Sequence, residues 1–125
     1  METALLSTLS QFDKIKMKKI PIFSSQQFFY DLYCLLPGQF QKVHSHPKED
    51  KVYLVLEGEA TFEIAAEEAT LGEGKAVIAR AGIPHGVRNT TERQVILLVT
   101  MAPKPSWSQQ LYIGMFYDPK HQWKG

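Results

Sequence analysis

The sequence predicts an all-β fold, a sandwich or barrel formed as a single domain, with a short N-terminal helix ahead of it and an apolar tail behind. Three observations carry this. At 125 residues the chain has room for one core. From Phe28 onward, short apolar or alternating runs recur about every ten residues. Turn signals separate them: Pro37-Gly38, Glu57-Gly58, Gly72-Glu73-Gly74, Ala81-Gly82-Ile83-Pro84 and Asn89-Thr90-Thr91-Glu92.

The elements follow in order. Leu5, Leu9 and Phe12 stand four and three apart, which predicts one face of a short helix within a helical or extended lead-in of residues 1–27. The barrel core is expected over 28–102. Its first strand, Phe28 to Leu36, is rich in aromatic residues, and Cys34 within it reads as a small buried hydrophobe rather than a nucleophile. The stretch from Gly38 to Gly58, GQFQKVHSHPKEDKVYLVLEG, reads as strand, polar loop and strand. Ala60 to Ile64 alternates and predicts a further strand, and Ala65 to Ala69 reads as a loop. Ala76 to Ala79 and Val95 to Val99 complete the set. The tail, 103–125, carries Trp107, Leu111, Tyr112, Phe116 and Trp123, and is expected to pack on the barrel or on a partner subunit.

Composition narrows the functional classes. Fourteen Lys and Arg against thirteen Asp and Glu give a net charge of +1, which is no footprint for nucleic acid or an anionic membrane. No apolar run approaches the ~20 residues of a membrane span. The N-terminus lacks a signal-peptide pattern. A single cysteine excludes an internal disulfide and a cysteine-only zinc site, and points to a reducing, cytoplasmic setting.

The chemistry concentrates at His44 and His46. On a strand, residues two apart share a face, so both imidazoles are expected to meet one ion or one bound molecule. Lys51, Tyr53 and Val55 likewise share a face of the following strand. His121, in the tail, reads as exposed.

These residues resemble the cupin superfamily. Gly38, five residues, His44-Ser45-His46 and then Gly58 are similar to its first motif. Gly74, Gly82, His85 and Asn89 are similar to its second, with Arg80 where that motif has proline. The resemblance implies a small single-domain jelly-roll barrel. It also implies a divalent transition metal (iron, zinc, nickel or manganese) held by His44, His46 and His85. The family's glutamate ligand is missing: counting back from Gly58 places Lys51 there, and a protonated lysine has no lone pair to give. Asp50 reaches the slot if a bulge absorbs one residue.

Two functions are expected from this resemblance. One is a metal enzyme on a small polar molecule, dioxygenase-like or isomerase-like, with Lys51 as a base or a clamp for an anionic substrate and Tyr53 as a hydrogen-bond donor. The other is a metal-free barrel that binds or senses a small ligand without catalysis. For Lys51 itself, the alternative to an inward position is that it swings out to pair with Glu49 or Asp50. Homodimerisation is expected in either case.

Overall fold

The computed structural model describes residues 1–104 and two short strand pieces at 117–118 and 122–123. Expectations for the rest of the tail, including Trp107, Phe116 and His121, lie outside the described residues. Nine strands form two antiparallel sheets: β1 (Lys18–Ser24), β2 (Phe29–Leu35), β3 (Phe40–His44), β4 (Asp50–Glu57), β5 (Ala60–Ile64), β6 (Glu67–Leu71), β7 (Ala76–Ala79), β8 (His85–Arg88) and β9 (Val95–Ala102). The larger sheet runs β1-β2-β9-β4-β7 and the smaller β3-β8-β5-β6. This is the jelly roll expected from the motifs. Tyr117–Asp118 (β10) and Gln122–Trp123 (β11) pair with each other. Among the described residues no helix is long and apolar enough to cross a membrane.

Alternation places the core between the sheets. On β4, Lys51, Tyr53 and Val55 are buried while Asp50 and Val52 are exposed. On β9, Val95, Leu97 and Val99 point the same way, and they meet Phe62 of β5 and Val87 of β8. Tyr53 lies at the centre, its ring 5.1 Å from Phe62 and 6.3 Å from Tyr33. Buried aromatic pairs at such separations add about 0.5–1.5 kcal/mol beyond their area.

Three readings of the sequence change. The N-terminal helix is only a 3-10 turn, Leu6–Thr8, in which the Thr8 hydroxyl donates to Leu5 O at 2.7 Å. Ser and Thr there favour local side-chain bonds over helix propagation, and Leu5 is exposed. Second, the extended part of the lead-in is a paired strand at 18–24 rather than a solvated lysine face at Lys18 and Lys19, because β2 supplies a partner for KKIPIFS that its Pro and Lys content conceals. Third, the loop expected over Ala65 to Ala69 is a two-residue turn followed by β6. Ile64 pairs with Glu67, leaving Ala65 (φ 52°) and Ala66 (φ 68°) as the connection. Positive φ at both positions is the hairpin geometry that matches strand twist.

The two motif ends are held by specific contacts. A Cβ on Gly58 would stand 2.5 Å from Gln94 O, so only glycine lets β4 turn that close to the start of β9. Asn89 is buried and fully used. Its Nδ2 donates to Leu35 O and Arg93 O, and its Oδ1 accepts from the Thr91 amide and hydroxyl. That network fixes the loop after β8 to the end of β2.

Candidate metal centre

His44 is the last residue of β3, His85 the first of β8, and His46 lies beyond the strand in the loop to β4. Strand alternation therefore does not align His44 with His46. Two other devices do. The first is a bulge. Gln41 pairs with Val87 and His44 with His85, so β3 spends three steps where β8 spends two. The extra residue turns His44 to the same interior side as Gln41. The second is a backbone tether, the Gly82 amide donating to His46 O at 2.7 Å, which ties the loop carrying His46 to the turn that delivers His85.

The three rings meet. Their centroids are 4.8 Å apart for His44 and His46, 4.5 Å for His44 and His85, and 5.5 Å for His46 and His85. One ring nitrogen from each lies within 4.8 Å of the others. Two tautomers are set by geometry. His44 Nδ1 is 2.6 Å from Lys42 O and His85 Nδ1 is 2.8 Å from Ile83 O. A carbonyl only accepts, so both Nδ1 atoms carry the proton and each Nε2 keeps its lone pair. The Nε2 atoms of His46 and His85 are buried with no hydrogen-bond partner among the described residues.

Charge acts in the same direction. Burial, then the nearby Lys51 charge, lowers His46 to about 3 and His85 to about 4. His44 is also held well below its ordinary value, by burial first and then by Lys51 and His85. Neutral imidazoles with pinned tautomers suit a divalent transition metal, since metal-binding histidines commonly donate their second nitrogen to a carbonyl or carboxylate. The donor set therefore fits the metal that the motifs imply.

The remaining sequence candidates divide. Lys51 and Tyr53 face the interior. Lys51 Nζ donates to Gln41 Oε1 at 3.0 Å and stands 5.0 Å from the centre of the Tyr33 ring and 5.1 Å from that of Tyr53. Burial and then the Lys19 charge lower the Lys51 amine well below its ordinary value, with Asp31 acting against them. Burial also raises the Tyr53 phenol. Asp50 is not brought to the histidines: it is exposed, and its Oδ1 accepts from the Ala81 amide at 2.8 Å. Alternation explains the split, because with Lys51 inward its neighbour must point out. Glu49 is buried, yet among the described residues the metal-type cluster holds the three histidines alone. Gln41 was missed in the sequence, where a lone glutamine carries no signal. Burial raises the Cys34 thiol, in keeping with a packing role.

Residues 31–101 match the Cupin_2 family, the cupin domain. The chain belongs to the cupin family. Among solved structures, this cupin is similar to TT1209 of Thermus thermophilus. The two share 51% identity and a TM-score of 0.82, over 84% of this chain and 100% of the other. It is also similar to an RmlC-like cupin of Desulfovibrio desulfuricans, with 30% identity and a TM-score of 0.73 over 82% and 97% of the two chains. Among curated proteins it matches one of Mycobacterium tuberculosis named beta-D-galactosidase Rv1717, with 38% identity over 78 residues. That match covers 62% of this cupin and 66% of the relative, just under two thirds of its length.

Proposed function

We propose that this cupin is a metal-dependent enzyme acting on a small, oxygen-rich, sugar-like molecule, with His44, His46 and His85 as the metal ligands. The observation that carries the reading is the convergence of three imidazoles, each with one ring nitrogen within 4.8 Å of the others. Three protein ligands leave coordination positions for substrate, as catalytic sites require. When bound, the metal would supply polarisation of a substrate oxygen. The relative named as a galactosidase favours a carbohydrate-like substrate over the dioxygenase alternative.

The chain's own residues then have separable tasks. The Nδ1 hydrogen bonds to Lys42 O and Ile83 O orient the His44 and His85 rings. Tyr53 stands 6.3 Å from the His85 ring and, with Tyr33 and Phe62, lines the interior beside the histidines. Lys51 Nζ and the Tyr53 hydroxyl are the groups placed to hold or move a proton on a bound substrate. Asp50 is assigned to the turn at Ala81 rather than to the metal. A homodimer accords with the exposed Val52 and Ile78, which are paired neighbours on β4 and β7. Sedimentation at several concentrations tests that assembly.

Lys51 in the place of a carboxylate supports a second reading, a metal-free barrel that binds a small ligand. Metal content by mass spectrometry, run beside a His44→Ala/His46→Ala variant, separates the two. Near-stoichiometric metal that disappears in the variant is expected. A metal-free native protein that stays so after reconstitution would establish the second reading instead.

A further inference from the structure

Below the histidines, a second recognition element stands inside the barrel. Gln41 is 2% exposed. Its Oε1 is occupied by Lys51 Nζ at 3.0 Å and approached by the Tyr53 hydroxyl at 3.4 Å. Because Oε1 receives these donors, the other branch of the amide is the NH2 group. Nε2 is buried and has no hydrogen-bond partner among the described residues. A buried donor with no acceptor is destabilising unless something arrives to accept from it.

The position of this donor is set by the sheet. Gln41 pairs with Val87, and Val87 lies two residues beyond His85 on the same inward face of β8. The amide therefore stands one layer deeper than the His44–His85 pair, a spacing of about 7 Å along a strand. Lys51 Nζ stands 5.1 Å from the centre of the Tyr53 ring, which is itself 6.3 Å from the His85 ring, so the amine lies on the histidine side of the interior. The donors in this layer, an amide NH2 and an amine, are complemented by an acceptor-only group. The three histidines add no negative charge of their own.

We propose that Gln41 Nε2 and Lys51 Nζ form an oxyanion subsite that takes a carboxylate oxygen of the substrate, so that the substrate class is a small hydroxy acid or sugar acid. This rests on the proposed function for the placement of the substrate's other end at the histidines. A carboxylate offers lone pairs to both nitrogens and a negative charge to the Lys51 amine. A neutral polyol would present hydroxyl protons toward donors and would satisfy the pair less well. Lys51 then keeps its bond to Gln41 Oε1, and Gln41 acts as a positioning residue that both orients the amine and contacts the ligand.

The test uses the full chain, as purified and after chelator treatment, with glycolate as the anionic probe and ethylene glycol as its neutral counterpart. Calorimetry gives affinities, and the side-chain amide signals of 15N-labelled, chelator-treated protein report on Gln41. Saturable glycolate binding that shifts the Gln41 amide signal is expected, with at least tenfold weaker binding of ethylene glycol. Gln41→Glu keeps the shape and an acceptor for Lys51 but removes the donor, and should weaken glycolate at least tenfold. Lys51→Met leaves the amide in place and should weaken glycolate too, so the result stands even if Gln41→Glu fails to fold. Equal affinity for the two probes, an unmoved amide signal, or unchanged glycolate binding in both variants would overturn the subsite. Metal content, measured on the same preparation before chelation, is an independent readout. Glycolate binding without metal would leave the subsite standing and remove the metal reading, and metal without a glycolate response would do the reverse.

Discussion

His44 of β3 stands opposite His85 of β8, three residues on from Gln41 where an unbroken strand would turn it away from the interior. The bulge that brings it round depends on a residue in the partner strand. A Cβ on Gly86 would lie 3.0 Å from Gln41 O and from Val43 N, so the extra residue of β3 occupies space that only glycine leaves. Gly86→Ala should therefore push against the backbone of Gln41 and Val43 as well as the branched Val43 side chain. The expected loss is about 1–3 kcal/mol of stability, typical of overpacking, together with weaker metal binding as His44 shifts. Urea denaturation and metal content would check it, and a variant with unchanged values in both would show that the bulge is set elsewhere.

The β5–β6 turn offers a change in the opposite direction. Ala65 and Ala66 both hold positive φ, a region that costs L-residues with a Cβ about 1–2 kcal/mol each. Asn and Gly adopt it readily and are the preferred pair in such hairpins. Ala65→Asn with Ala66→Gly should stabilise the chain by about 1 kcal/mol or more, read as a higher urea midpoint with an unchanged slope. The turn lies outside the histidine cluster, so metal content should not change.

These two sites also show what the sequence could and could not reveal. Strands bounded by Gly, Pro and Asn were legible because turn chemistry is local, and the shared face of Lys51, Tyr53 and Val55 followed from alternation, whereas its inward direction did not. The turn at Ala65-Ala66 carries no such residue, and β6, with Glu67 and Glu68, has the composition of a loop. β1 was hidden for a similar reason, since its strand character comes from pairing with β2. At the site, His44, His46 and His85 could be named from motif spacing. The cause of their alignment could not, because it lies in a bulge opposite Gly86 and in the Gly82 tether to His46 O. Gln41 was invisible, because its role depends on burial and on a bond to a lysine ten residues away.

Acid should destabilise the metal-free protein before its carboxylates titrate. Unfolded histidine binds a proton near pH 6.5, whereas folded His46 and His85 resist until about 3 and about 4. Between these limits the unfolded chain holds more protons, so stability falls as pH falls, by up to about 1.4 kcal/mol per pH unit for each group. Thermal midpoints of chelator-treated protein should drop from pH 7 to pH 5, and His46→Ala should flatten the slope. A midpoint independent of pH over that range would mean that the rings are protonated in the folded state.

The most direct test of the metal centre exchanges the residue that departs from the cupin pattern. Lys51 is buried with its amine among Gln41, Tyr33 and Tyr53, and it faces the same interior as the histidines. Its charge opposes a cation, and when protonated it has no electron pair to offer. Lys51→Glu reverses both properties, adding an oxygen donor and a negative charge where the family's first motif carries them. Affinity for divalent metal should rise at least tenfold, measured by competition with a chelating dye, and the rise should vanish in a His85→Ala background. Lys51→Met controls for loss of the positive charge alone. It should give a smaller gain in affinity, with stability near that of the native chain, because removing a desolvated amine offsets the lost hydrogen bond to Gln41. If Lys51→Glu binds metal no better than Lys51→Met, position 51 lies out of reach of the ion, and the three imidazoles alone define the protein's contribution to it.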